Sequence, residues 1–461
     1  MPVPDADIVQ HFAHHVAHTS YEQLPPAAVD AAKKSILDTL GVILAASGME
    51  PAVIGVIDLV REVGGQPEST VLAFGDRVPA IWAAFANGAM AHCLDFDDQT
   101  PWGQHSASSI VPAVLAAAER RGAVSGRELI IAVALGQDIF ARLRRNVGWR
   151  KDWNLSTVLG VFAGAAATSR ILGLTEAEAA HALGIASMQS SGAMEVVAGT
   201  GSNLRAIYAG FSAKGAVLAA LLAEKGVTGV ERLFEGEFGV FATYFGGRYD
   251  RSAMLRDLGR DFQGSTTLYK LWPSVGTSHS HISATIGVVV DHDIAAEDIT
   301  EIRVHVGDYH ELMCKPLAVR QAPTTLVDAK FSLPFLVAVA AVWRAVRISD
   351  FSAAGLRSPQ VLAMAQKVVP VADASLNWEL DLPPGRVEIV LRDGRTITRT
   401  GDRVPGNPEA PLSWEDLARK FADCASTAAS VTVGGRIHEL LDAARDLENV
   451  TDVSELVRLL G

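Results

Sequence analysis

The sequence predicts a mainly α-helical protein: a large all-helical domain built from both chain ends (residues 1–267 and 403–461) with a smaller α+β domain, residues 268–402, inserted between them. Three observations carry this reading. Apolar residues recur at three- and four-residue intervals through nearly all of the first 240 residues. After Lys270 the texture changes to alternating, strand-like segments, and from Trp414 to the C-terminus the helical period returns.

Taken in order, the first long helix is expected from Pro25 to about Ala46, where Ala28, Ala31, Ala32, Ile36, Leu37, Leu40, Val42 and Ile43 form the apolar stripe behind a Pro25-Pro26 entry. Similar Ala-, Leu- and Gly-rich periods predict helices at 80–94, 109–121, 126–145, 157–172, 175–190 and 209–225. Ser125 with Glu128 and Thr175 with Glu178 are capping boxes that fix two starts, and the abundance of small residues points to close helix packing. Residues 300–306 (TEIRVHV) alternate like a strand. Residues 386–400 read as two strands around Asp393-Gly394, a strong short-range hairpin signal, and residues 331–347 as a helix between these strand segments.

Composition narrows the function. The chain has 461 residues, 49% of them hydrophobic, enough for two or three domains with a large core. The 52 acidic against 40 basic residues leave a net charge of −12, the wrong sign for a protein that binds by neutralising phosphates, so no nucleic-acid partner is expected. Cys93, Cys314 and Cys424 stand far apart and form neither a disulfide framework nor a CxxC pair. The longest apolar runs, such as residues 335–343, fall short of the ~18 residues a membrane span needs. The N-terminus, with Asp5, Asp7 and His11, lacks a signal peptide's basic and apolar regions, so a cytoplasmic protein with no membrane contact is expected.

Three polar clusters are candidates for chemistry. The densest is residues 87–106, where Asp95, Asp97, Asp98 and His105 lie at the end of an apolar helix in a loop containing Pro101 and Gly103. A solvated helix end with Asp caps is the competing account, and an aspartate-rich Mg²⁺ site lacks a second acidic motif. The second cluster, residues 270–281 (KLWPSVGTSHSH), offers His279 and His281 as an HxH pair, without a nearby Cys, Asp or Glu to complete a metal site. The third, residues 199–205 (GTGSNLR), has two of the three glycines of a dinucleotide loop but follows a helix-like stretch, and reads as a connector. It supplies Arg205, whose guanidinium suits capture of a carboxylate, against an ordinary surface ion pair. Trp149 and Trp153 are expected to pack in the core.

The chain resembles the MmgE/PrpD family, which includes 2-methylcitrate dehydratase, cis-aconitate decarboxylase and iminodisuccinate epimerase. The likeness rests on residues 36–41 (ILDTLG), the block 87–105 with its LDFDD core, 173–174 (GL) with 180–184 (AHALG), the run 209–223, 270–273 (KLWP), 328–334 (DAKFSLP), and 406–408 (GNP) with Lys420-Phe421. The resemblance implies a helical domain with a smaller α+β lid, a homodimer, and an active site between domains. It also implies proton transfer next to a carboxylate of a small di- or tricarboxylate, with no metal and no organic cofactor. Carried over by residue, Asp95, His105 and His279 retain the family's catalytic types. Four positions depart from it: Gln99 stands for a threonine, Asn154 for a histidine, Arg205 for a lysine and Phe335 for a tyrosine; Tyr208 in addition replaces a histidine.

These changes remove acid/base groups: Asn154 exchanges no proton near neutral pH, Phe335 has no hydroxyl, and Arg205 keeps its charge but not its proton lability. The expected site has His105 as base tuned by Asp95, Arg205 and Lys270 clamping carboxylates, His279 as the lid's acid or donor, and Gln99, Asn154, Tyr208 and Phe335 lining the substrate. The leading expectation is a cofactor-independent lyase acting by dehydration or decarboxylation. Its alternatives are an epimerase of an imino or amino dicarboxylate and a non-catalytic carboxylate-binding paralogue.

Overall fold

The computed structural model describes residues 6–199, 201–401, 404–430 and 433–460. Its helices run α1 Ile8–His18, α2 Pro26–Met49, α3 Pro51–Val63, α4 Ala80–His92, α5 Ala107–Arg121, α6 Gly126–Arg145, α7 Leu155–Leu172, α8 Glu176–Ala186, α9 Glu195–Ala198 and α10 Leu204–Glu224. A two-stranded ribbon, β1 Ser69–Thr70 and β2 Arg77–Val78, precedes α4. Short helices α11 Val240–Phe245 and α12 Arg251–Leu255 lead to α13 His279–Asp291 and strand β3 Ile299–Val306. There follow α14 Asp308–Leu312, α15 Leu317–Gln321, α16 Leu326–Ala329, α17 Leu333–Trp343, α18 Pro359–Ala365 and β4 Val368–Ala372. The hairpin β5 Gly385–Leu391 and β6 Thr396–Gly401 then precedes α19 Trp414–Ala425, α20 Ile437–Arg445 and α21 Ser454–Arg458. The structure is 59% helical with 8% strand, which makes the fold mainly α as the sequence reading holds.

Small residues let the central helices approach closely. At the crossing of α4 and α10, a Cβ on Gly88 would stand 2.9 Å from the Gly210 Cα and one on Gly210 2.5 Å from the Phe85 carbonyl, so neither helix tolerates a side chain there. This crossing sets the distance between His92 at the end of α4 and Arg205 at the start of α10. Two of the core helices, α7 and α10, are long and apolar enough to cross a membrane by length and composition, with windows 89% and 67% buried by the rest of the chain. That corrects the expectation that no stretch reaches spanning length. A helix surrounded by other helices is apolar on all sides, which reproduces the composition of a span.

The four-stranded sheet has the order β4-β3-β5-β6, with β4 parallel to β3 and the other pairs antiparallel. The Asp393-Gly394 hairpin forms as the sequence indicates, with Gly394 at φ 87. Strand β4 was not foreseen: Val368 to Ala372 contains Pro370, which an edge strand tolerates because one side of its ladder needs no donor.

The C-terminal segment returns to the N-terminal helices. The Gly126 N–H donates to the Val450 carbonyl (2.8 Å), Val453 N–H to Val124 (2.8 Å) and Ala73 N–H to Leu460 (2.9 Å). In α19, Lys420 Nζ reaches Asp38 Oδ1 of α2 and the Phe96 carbonyl, both at 2.6 Å and both buried. The expected domain boundary at 402/403 falls on residues outside those described.

Burial raises the Asp38 carboxyl above its ordinary value, against the pull of Lys420. Lys420→Met, which leaves that buried carboxylate without its cation, is expected to lower the unfolding free energy by about 3–5 kcal/mol in urea titrations, and adding Asp38→Leu to restore most of it. A single-variant loss under about 1 kcal/mol would class the pair with surface ion pairs.

Candidate active site

The loop between α4 and α5 builds the site. Helix α4 ends at His92, and Asp95 takes up a left-handed φ of 52 that turns the chain back within three residues. Gly103, at φ 75, lies under the Trp378 ring, which a Cβ there would meet at 2.4 Å, so this glycine brings the loop against the segment preceding β5. Asn154 arrives as the N-cap of α7, its Oδ1 accepting the Ser156 N–H (3.1 Å), and Arg205 arrives in the first turn of α10.

Asp95 is the electrostatic centre. Lys270 Nζ donates to its Oδ1 at 2.7 Å and to its carbonyl at 2.8 Å, Arg205 Nη2 reaches Oδ2 at 3.5 Å, and His105 Nε2 stands 3.5 Å from Oδ1. All four residues are buried. Burial works to raise the Asp95 pKa, but the charges of Lys270 and Lys330 with the neighbouring imidazoles outweigh it and hold the carboxyl well below the usual range. Asp97 is likewise held low against its burial, by His105 and His92.

Hydrogen bonds fix the His105 tautomer. Its Nδ1 lies 2.7 Å from the Asp98 carbonyl and 3.2 Å from Asp97 Oδ2. A carbonyl oxygen only accepts, so Nδ1 carries the proton and the neutral ring presents the Nε2 lone pair on the Asp95 side. His92 pairs with the other face of the same carboxylate, Nδ1 lying 3.1 Å from both Asp97 oxygens. Burial lowers its pKa to about 4, so it is neutral at physiological pH, with Nε2 buried and unpartnered. Asp98 differs from its two neighbours: burial, followed by the charges of Asp97 and Asp38, raises it to about 7.

A narrow cleft with a cavity volume of about 40 Å³ opens on this cluster. Of the residues expected at the site, Asp95, Gln99, His105, Asn154, Arg205 and Tyr208 line it. Arg205 lies with its guanidinium 3.4 Å from the Phe331 ring centre and its Nη1 donating to the Val197 carbonyl at 2.8 Å, which replaces the surface-ion-pair account with a buried one. Lys270 sits behind the wall, bound to Asp95.

His279 and Phe335 are placed elsewhere. His279 bonds the Trp272 carbonyl through Nε2 (3.1 Å) and packs its ring against Trp272; burial and then Lys270 lower its pKa to about 3, so it stays neutral and lines no part of the cleft. His281 turns to the His305 carbonyl (2.9 Å), so the HxH pair shares no ligand position. Phe335 packs in α17 against Phe351, also away from the cleft.

Sequence reasoning missed several lining residues. Trp149, expected in the core, lines the cleft and packs edge-to-face with Trp378 (5.1 Å), as does Tyr309 (4.8 Å). Trp153 does pack as expected, against Tyr244. His92 and Asp97 were part of the acidic block, but only the structure shows them orienting His105.

His92, Asp95, Asp97 and His105 offer donor atoms within 4.8 Å of one another, a set a metal ion could use. Lys270 and Arg205 already sit on Asp95, and the Nδ1 atoms of both histidines face Asp97, while His92 Nε2 has no partner. A divalent ion on Asp95 would face the Lys270 ammonium, which opposes its binding there.

The family model for the MmgE/PrpD N-terminal domain matches residues 10–252, and that for the MmgE/PrpD C-terminal domain matches residues 272–445. A cis-aconitate decarboxylase of Aspergillus terreus is 26% identical, over 98% of this chain and 96% of its own length. The cis-aconitate decarboxylases of Mus musculus and Homo sapiens are 26% and 25% identical, each over 98% of this chain and over 93% and 94% of their own lengths.

Because the folded Asp98 carboxyl titrates about 7 against an ordinary 3.8, the folded state holds this proton more tightly than the unfolded chain does. The stability this affinity supplies is complete below pH ~4 and lost as pH rises toward 7. Melting curves of wild type and Asp98→Asn are expected to diverge across that window, the variant gaining relative stability with rising pH. Parallel curves would show that Asp98 titrates normally.

Proposed function

The chain belongs to the MmgE/PrpD family, and from that premise we propose that it is a cofactor-independent lyase that moves a proton at carbon next to a carboxylate. The observation that carries this reading is the His105 geometry: a tautomer locked by the Asp98 carbonyl and Asp97, with Nε2 open on the cleft side and an ionised Asp95 at 3.5 Å. Such a ring accepts a proton at Nε2, and the imidazolium so formed is stabilised from both sides by carboxylates. The likeness to cis-aconitate decarboxylases over nearly the whole chain supports the lyase type.

In the proposed step the substrate carboxylate lies on Arg205, with the Asn154 amide beside it. The C–H bond α to that carboxylate breaks, its proton going to His105 Nε2 and its electron pair into the carboxylate, where Arg205 balances the added charge. In an elimination that pair then returns to form the C=C bond and expels the β-substituent. A decarboxylation would begin instead from the His105 imidazolium with no α-proton removed: the C–C bond to the departing carboxylate breaks, CO2 leaves, and the electron pair left at carbon takes the proton from Nε2. Arg205 serves as a fixed charge in either case, since its proton is not labile. His279, neutral and outside the cleft, has no part in this scheme, which leaves Lys270 to hold Asp95 rather than substrate.

Stereoinversion requires a second proton-transfer group on the opposite face. Burial raises Tyr208 well above its ordinary value and Tyr309 to about 12, which makes neither a ready base and favours the lyase reading. A homodimer belongs to the same proposal; Leu204 and Phe211 leave apolar area of α10 exposed at 44% and 42%, and light scattering of the purified protein checks it.

Proton NMR in D2O with excess chelator, over a panel of cis-aconitate, citrate, 3-hydroxybutyrate, crotonate and cinnamate derivatives, tests the reading. At least one member is expected to exchange carbon-bound hydrogen or give a new species, with the rate unaffected by chelator. In His105→Ala that rate is expected to fall by about 10²–10⁴-fold with an unchanged melting curve. A near-wild-type rate in the variant, or an inert panel, would overturn the scheme.

A further inference from the structure

We propose that His14, His18 and Glu176 form a binding site for a divalent ion of the zinc class, which ties the N-terminal helix α1 to the start of α8. The site stands apart from the cleft: none of the three residues lines it, and the proposed reaction makes no use of them.

The segment 11–18 (HFAHHVAH) carries four histidines, and the helix sorts them by face. Ile8, Val9, Phe12, Ala13, His15 and Val16 form the buried side of α1, and their packing fixes the rotation of the helix. His15 is used on that side, its Nε2 3.2 Å from Asp138 Oδ2 and its Nδ1 3.1 Å from the Thr19 hydroxyl, while His11 faces Arg251. His14 and His18 are left on the outer side, one turn apart, with ring centres 4.5 Å from each other. Two imidazoles at i and i+4 are the spacing by which a helix presents two nitrogen ligands to one ion.

Helix α8 supplies the third donor. Thr175 and Glu178 close a capping box that sets the first turn of α8. From that turn Glu176 Oε2 lies 2.8 Å from His14 Nδ1 and 2.9 Å from His18 Nε2, and the three donor atoms all lie within 4.8 Å of one another. An ion with bonds of about 2.0–2.2 Å holds neighbouring ligand atoms roughly 3.0–3.5 Å apart, so the two contacts need to open by only a few tenths of an ångström. With side chains 35%, 59% and 40% exposed for His14, His18 and Glu176, the three have room to do so.

The electrostatics also favour a cation. The hydrogen bond from His14, ahead of that from His18, holds the Glu176 carboxyl below its ordinary value, so the oxygen facing the rings is ionised. Among the described residues its ion pairs are with these two rings, and Arg170 is turned to the Ala17 carbonyl (3.0 Å). An ion here meets no ammonium of the kind that Lys270 sets against one on Asp95. Without metal each ring donates an N–H to the carboxylate. On binding, each neutral ring carries its proton on the outer nitrogen and turns the inner lone pair to the ion. Two imidazole nitrogens and one carboxylate oxygen suit Zn²⁺ with water in the remaining positions; Mg²⁺ and Ca²⁺, which take oxygen ligands, suit it poorly.

Untagged, chelator-treated protein tests the site. On addition of ZnCl2, calorimetry is expected to show binding and the melting temperature to rise, because an ion bound only by the folded chain stabilises it, whereas MgCl2 at the same concentration is expected to leave melting unchanged. His18→Ala and Glu176→Gln are each expected to lose at least about tenfold of the zinc affinity, since one of three linked donors is gone, yet to melt close to wild type without metal, because exposed pairs contribute little. His105→Ala, which removes a donor from the cleft cluster instead, is expected to keep the zinc affinity and the melting shift. A wild type that neither binds zinc nor melts higher with it, an equal response to magnesium, zinc affinity that survives in both α1–α8 variants, or affinity lost in His105→Ala would each overturn the assignment. The proposed reaction is measured with excess chelator, so its failure and the failure of this site are read independently.

Discussion

A buried carboxylate has to be matched by charge, and in this protein the contact between Asp95 and Lys270 meets that demand. Asp95 sits at the tip of the loop leaving α4, whereas Lys270 comes from the segment where the helical pattern of the first 240 residues gives way to the α+β region. An ion pair of this kind, 2.7 Å long and almost without solvent, stabilises only when both partners are in place, because either one alone is an uncompensated buried charge. The loop conformation, with Asp95 in the left-handed region, and the packing of the 270–281 segment therefore stand or fall together. Lys420 repeats the arrangement one step further along the loop, tying Asp38 and the Phe96 carbonyl to the C-terminal helix α19.

With Asp95 held ionised by its cations, Asp97 held ionised by two imidazoles and Asp98 raised toward neutrality, three consecutive acidic positions within four residues have three different electrostatic roles. The division follows from what each one faces. Among the described residues the Asp98 carboxyl has Ser35, Gln137 and the Ala107 N–H to bond, all uncharged donors, and two neighbouring carboxylates to oppose. Burial acts first in raising Asp98, then the charges of Asp97 and Asp38, and of the three carboxyls it is the one that faces neither a lysine nor an imidazole.

The helical framework was legible because its signals are local: periodic apolar residues, two capping boxes and the Asp393-Gly394 turn each specify an element without reference to the rest of the chain. Strand β4 was not, since Pro370 reads as a break until a neighbouring strand exists to make it an edge. The site divides in the same way. Asp95, His105 and Arg205 stand in polar or glycine-rich blocks that mark themselves in sequence. Trp149 carries no such mark, because an aromatic on a cleft wall and one in a core have the same neighbours in sequence and differ only in whether space is left beside them. The motif around His279 is as clear in sequence, but its hydrogen bond to the Trp272 carbonyl and its burial are set by the fold, and no spacing rule reports them.

The retained and altered positions together describe a redistribution of labour. When a group able to exchange protons gives way to Asn154, and Arg205 supplies charge without a labile proton, the burden of proton transfer falls on whichever ring still has an open lone pair. His92 and His105 lean on the same Asp97 carboxylate and stack within 4.6 Å of each other, but only His105 lines the cleft. His92 is walled in by Tyr208, 4.4 Å from ring to ring. A single usable base beside the guanidinium that lines the cleft suits a reaction in which one proton moves at a carbon next to a carboxylate.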